Sequence, residues 1–124
     1  MKFAIIFVLA TMLPGLSAAF DEANLPTINK CLDHGRHGKW MITKLQEGAD
    51  WIILTDYYYL SDFGMKLADK ERKEFLAIVD KADAFMPFTR AERQNPRLPA
   101  SFEAEVTLNC LSKHGLSPSG ERIR

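Results

Sequence analysis

Two cysteines, Cys31 and Cys110, stand 79 residues apart near opposite ends of a 124-residue chain. No other feature constrains the fold as much. If they bond, whatever folds between them must return its end to its beginning. Closing so long a loop stabilises a domain by about 4 to 5 kcal/mol in the chain-entropy model. If they do not bond, the chain carries two separate thiols. The choice turns on the compartment, because disulfides persist outside the reducing cytoplasm.

The first residues supply that address. Lys2 is a short positive region, Phe3 to Leu13 form an apolar run, Pro14 and Gly15 break it, and Ser17-Ala18-Ala19 places small residues at a cleavage site after Ala19. The apolar run is short of the roughly 20 residues needed to span a bilayer as a helix. Residues 1–19 are therefore expected to be a cleaved signal peptide, 20–116 a helical domain, and 117–124, rich in Ser, Pro, Gly and charge, a disordered tail. The expected localisation is periplasmic or secreted, and the expected bond is Cys31 to Cys110.

Removing residues 1–19 takes away Lys2 and leaves 15 basic against 16 acidic residues. The charges are interspersed, as in Lys70-Glu71-Arg72-Lys73-Glu74, which is the pattern of a solvated helix face. Nucleic-acid binding needs a basic patch or stripe, and an anionic membrane surface needs the same. Neither partner is expected.

Hydrophobic spacing predicts an all-α bundle of four to five helices. Thr27 caps a first helix to about Gln46, with Gly48 as its stop; Gly35 and Gly38 inside it cost about 1 kcal/mol each relative to Ala and signal either a close helix contact or a break. Asp50 caps Trp51 to Leu60, a segment whose β propensity also allows a strand. The chain turns at Ser61 to Gly64. Asp69 opens the clearest amphipathic stretch, with Phe75, Leu76, Val79 and Ala82 at helical spacing. Thr89 and Glu92 form a capping box, and Asn95 to Pro99 end that short helix. Ser101 is expected to cap the last helix, where Phe102, Val106 and Cys110 share one face and Gly115 is the terminator.

Chemistry-bearing patterns are sparse. Cys31, His34 and His37 recur at three-residue intervals and could supply two metal ligands, although a four-coordinate zinc site needs more and a disulfide sulfur cannot serve. A thiol nucleophile beside a histidine is the corresponding catalytic reading. Gly-rich phosphate loops, Gly-x-Ser-x-Gly elbows and His-Glu-x-x-His motifs do not occur, so no catalytic residue, metal or cofactor is expected. The densest aromatic cluster is Trp51, Tyr57, Tyr58, Tyr59 and Phe63. Three successive tyrosines on a helix sweep about 200°, so they cannot all face one core. Trp51, Tyr57, Tyr58 and Tyr59 are therefore the candidate partner-binding residues. The competing arrangement has two tyrosines at the core edge and the third merely exposed.

The order Cys31, then Lys44-Leu45-Gln46-Glu47-Gly48, then Ile78-Val79-Asp80-Lys81-Ala82, then Phe102-x3-Val106-x3-Cys110 resembles an uncharacterised family of small exported bacterial proteins. That resemblance implies a helical periplasmic domain with an end-to-end disulfide and supplies no reaction. In size and style the chain is also similar to the helical periplasmic immunity proteins that neutralise cell-wall-degrading effectors of the type VI secretion system. The functional expectation is a non-enzymatic module that binds another protein in the periplasm. The alternative is a small-ligand or metal-binding protein using His34 and His37.

Overall fold

The computed structural model describes residues 22–122; the expected signal peptide lies outside them. A 3-10 turn, Glu22–Asn24, leads into six α-helices: α1 Leu25–Gln46, α2 Trp51–Leu60, α3 Asp62–Met65, α4 Asp69–Asp83, α5 Arg90–Arg93 and α6 Arg97–Lys113. The helical reading of Trp51 to Leu60 holds. Two of the six helices are single turns, and α3 stands where a plain turn was expected: the Ser61 side chain accepts from the Gly64 N–H and starts it.

The architecture is built on α1 and α6, which share the most extensive interhelical contact. Gly35 and Gly38 are buried on α1, and their lack of side chains lets α6 approach. A Cβ at Gly38 would stand 3.0 Å from Val106 and 3.1 Å from the Phe102 ring, and one at Gly35 would meet the Thr107 hydroxyl and the Glu103 carbonyl. The glycines thus mark a close contact inside one unbroken helix. At one end of this pair Cys31 and Cys110 are joined, with Cα atoms 5.3 Å apart. Leu111 and Leu116 pack around the bond with Ile28. The remaining core brings α2 and α4 onto α1, with Met41, Ile42, Leu45, Leu54, Tyr58, Phe75 and Val79 buried together.

Local chemistry sets most boundaries. The Asp50 carboxylate accepts from the Ile53 N–H as the cap of α2, and both halves of the Thr89–Glu92 capping box are formed. Two expectations are corrected. Thr27 lies inside α1, which begins at Leu25 with Pro26 in its first turn. Likewise α6 begins at Arg97 instead of after Ser101, so the proline-rich segment opens this helix. Pro99 falls in the first turn, where a backbone N–H has no intrahelical acceptor to lose, while Asn95 Oδ1 accepts from the Arg97 N–H at 2.9 Å.

The tail has a defined path as far as Arg122. Beyond Gly115, which has a positive φ of 73°, Leu116 and Arg122 form an antiparallel bridge. The Ser117 N–H donates to the Glu121 carbonyl at 2.6 Å, and the buried Asn24 amide donates to the Gly120 carbonyl at 3.4 Å. Ser, Pro and Gly here build a turn that docks on the start of α1.

Two outcomes follow. Gly35→Ala, which on an open helix would stabilise by up to about 1 kcal/mol, is expected to destabilise by about 1 to 3 kcal/mol through overpacking against α6. Urea unfolding checks this, and a stabilised variant would refute the close contact. Reducing the disulfide is expected to cost about 4 kcal/mol, seen as a lower urea midpoint for Cys31→Ser/Cys110→Ser than for the oxidised chain.

Candidate functional site

The sequence of α2, WIILTDYYYL, carries Thr55 and Asp56 as its only residues that are neither aliphatic nor aromatic, so polarity alone does not divide it into an inside and an outside. Packing does. Leu54 and Tyr58, four residues apart, are both fully buried against the core. At about 100° per residue, the opposite side presents Ile52, Asp56 and Leu60 as one i, i+4, i+8 row flanked by Ile53 and Tyr59. Ile52, Ile53 and Leu60 remain 60%, 57% and 69% exposed, and Met65 in α3 is 62% exposed.

Each expected partner-binding aromatic has a definite place. Tyr58 is fully buried, its ring stacked on Phe75 with centroids 5.1 Å apart. Tyr57 is half-buried, packed against Trp40 at 4.6 Å. Tyr59 is exposed, with the Arg72 guanidinium 5.1 Å above its ring. Trp51 is partly exposed and its indole N–H donates to Asp80 Oδ1 at 2.9 Å. The tyrosines thus divide as the competing arrangement had it, two on the core and one outside. The large exposed side chains of this helix are mainly aliphatic, and the aromatic search passed over Ile52, Ile53 and Leu60. Their signal was present in the sequence as isoleucines and a leucine out of step with the Leu54–Tyr58 face.

The two histidines of α1 face inward to the same aromatic cluster. His34 lies 4.7 Å from the Phe75 ring and His37 lies 4.5 Å from it; His37 also stacks on Phe63 at 5.0 Å. His37 Nδ1 and the Tyr58 hydroxyl are 2.7 Å apart. Burial lowers the pKa of both histidines, for His34 against the opposing pull of Glu74 and for His37 against that of Asp33. Burial likewise pushes the Tyr58 phenol well above its usual range. A neutral imidazole that accepts the phenol proton at Nδ1 satisfies both partners. This gives the buried Tyr58 hydroxyl its hydrogen bond, and it commits one nitrogen of the proposed His34–His37 ligand pair to structure. Cys31, the third member of that pattern, is in the disulfide, and the described residues contain no free cysteine; the thiol-nucleophile reading has no thiol.

A cleft between α1, α4 and α6 is lined by His34, Glu74, Lys81, Asn109, Lys113 and His114. Glu74 Oε2 pairs with Lys30 at 3.1 Å, while its Oε1 is buried with no hydrogen-bond partner among the described residues. A His114 ring nitrogen comes within 4.8 Å of both disulfide sulfurs, which as a disulfide are not thiolate ligands. Among the described residues no helix is long and apolar enough to cross a membrane. The chain matches no family model, no curated protein and no solved structure.

The buried His34 and the half-buried His37 make stability depend on pH. Their folded pKa values lie below the unfolded value near 6.5, so the unfolded chain binds more protons as the solution is acidified, and stability falls as pH drops through about 6.5. Urea unfolding at pH 7.5 and 5.5 is expected to show a loss of about 1 to 2 kcal/mol. His34→Gln/His37→Gln should be less stable at pH 7.5 yet lose most of that slope. An unchanged slope would remove the histidines as its source.

Proposed function

We propose that this protein is a non-enzymatic module that binds another protein in the periplasm, and that it docks through the outward side of α2. The observation that carries this reading is the row of Ile52, Ile53 and Leu60, large apolar side chains left mostly in water on a helix whose inner side already fills the core. Single exposed apolar residues are ordinary; several on one helix face are the mark of an interaction surface. Export fits the Cys31–Cys110 bond, and an immunity or inhibitor protein that covers one enzyme's active site is the sharper form of the proposal. The metal alternative loses support because His37 Nδ1 is committed to the Tyr58 hydroxyl and Cys31 to the disulfide.

The test compares the oxidised protein with Ile52→Ser/Ile53→Ser/Leu60→Ser, each immobilised and exposed to periplasmic and secreted proteins of the producing cell. The substituted side chains are exposed, so far-ultraviolet circular dichroism should be unchanged. One protein retained in stoichiometric amount by the native surface, and weakened about a hundredfold or more by the triple substitution, is expected from the loss of several anchors. Equal retention by both surfaces would place any interface elsewhere.

A further inference from the structure

The surface of α2 also defines the chemistry of what covers it. We infer that the partner contributes a cationic amphipathic helix, whose apolar side chains pack between Ile52, Ile53 and Leu60 and whose Lys or Arg reaches Asp56. This deepens the docking reading above and rests on it.

Asp56 sits halfway between Ile52 and Leu60 in the outward row, about 6 Å from each along the helix axis. It is exposed, and no ion pair or hydrogen bond to its carboxylate is formed among the described residues. A partner broad enough to cover the apolar anchors on both sides therefore covers Asp56 as well. Taking an unpaired carboxylate out of water is strongly unfavourable, and a cationic group placed against it offsets part of that penalty.

The sequence of α2 and its immediate flanks has the same sign. From residue 48 to residue 65 the chain has Asp50, Asp56 and Asp62 and no Lys, Arg or His. The Arg72 guanidinium stands over the flanking Tyr59 ring and is already held by Asp69 and by the carbonyls of Tyr58, Gly64 and Leu67; Lys66 follows directly after Met65. In a chain of zero formal net charge, α2 and its immediate flanks are thus acidic in sequence, and Asp56 is the charged residue within the apolar row.

A helix is the partner element that fits. The backbone groups of α2 are spent on its own turns, and no sheet edge is present among the described residues, so an extended segment could not gain strand pairing here. A partner helix satisfies its own backbone and packs side chains into the groove beside an i, i+4, i+8 ridge. A second copy of this chain fits less well, since a two-fold contact centred on the row would oppose Asp56 to its own mate.

The test uses a fluorescent 18-residue peptide of Leu and Lys at amphipathic helical spacing, its counterpart with Glu for Lys, and the oxidised protein purified after export. The native protein is expected to bind the Lys peptide at least about tenfold more tightly than the Glu peptide, and Asp56→Lys is expected to invert that preference. Ile53→Ser should weaken binding of the Lys peptide. Equal affinity for the two peptides, or a preference that Asp56→Lys leaves intact, overturns the inference. So does sedimentation showing a dimer that Ile53→Ser dissociates, or binding to anionic phosphatidylglycerol vesicles that Ile53→Ser abolishes. If the captured protein partner is lost with Ile52→Ser/Ile53→Ser/Leu60→Ser but retained by Asp56→Lys, docking through α2 stands and the cationic helix falls.

Discussion

The approach of α6 to α1 is the contact on which everything else is assembled. Gly35 and Gly38 permit it, Phe102, Val106 and Thr107 fill the space the glycines leave, and the Cys31–Cys110 bond fixes the pair at one end. The glycines cost helix propensity, and the cost is accepted because two long helices at short range bury a continuous seam. Once the pair exists, Met41, Ile42 and Leu45 of α1 face a surface that α2 and α4 close, with Phe85, Met86 and Phe88 packed against its edge. The disulfide contributes by restricting the unfolded chain, while the packing contributes in the native state; the two are separable, and a domain of this size gains from both.

Closure by α2 creates the functional question. A ten-residue helix almost wholly apolar in composition must bury one side and expose the other. The inner side takes Leu54 and Tyr58, and Tyr58 brings a hydroxyl into the core whose hydrogen-bond partner among the described residues is His37. That single hydrogen bond ties α1 to α2 and explains why a histidine occupies an interior position whose pKa burial depresses. The outer side has no such internal explanation. Ile52, Ile53 and Leu60 contribute little to this core, and charged residues in their place would keep the helix more soluble without loss of packing. Their retention beside Asp56 is what the proposed partner accounts for.

Much of this was legible in the sequence where one residue decides one local event. Asp50, the Thr89–Glu92 pair and the Phe102–Val106–Cys110 spacing each act within a turn or two, and each acts in the fold as its chemistry demands. What was not legible depends on distant groups. Arg72 reads as one charge in a solvated run, yet its guanidinium binds the carbonyls that end α2 and α3, because the chain turns back there. The proline-rich segment reads as a stop and is a start, since Pro99 costs nothing in a first turn. The polar tail is held by Asn24 and Ile28, nearly a hundred residues away. On α2, aromatic content singled out the helix whose outer side is proposed to dock, but the side of each tyrosine is set by α1 and α4, so Tyr58 is turned inward and the large exposed side chains are mainly aliphatic.

The central claim is that the outward side of α2 meets another protein in the compartment where the chain resides. Site-specific photocrosslinking tests this most directly: p-benzoylphenylalanine placed at Ile53, and separately at the exposed Lys73 on α4, in the protein expressed in the cells that make it. The account predicts one discrete adduct from position 53, of constant mass across preparations, and none from position 73. Adducts from position 73 alone, or the same diffuse ladder from both positions, would contradict it.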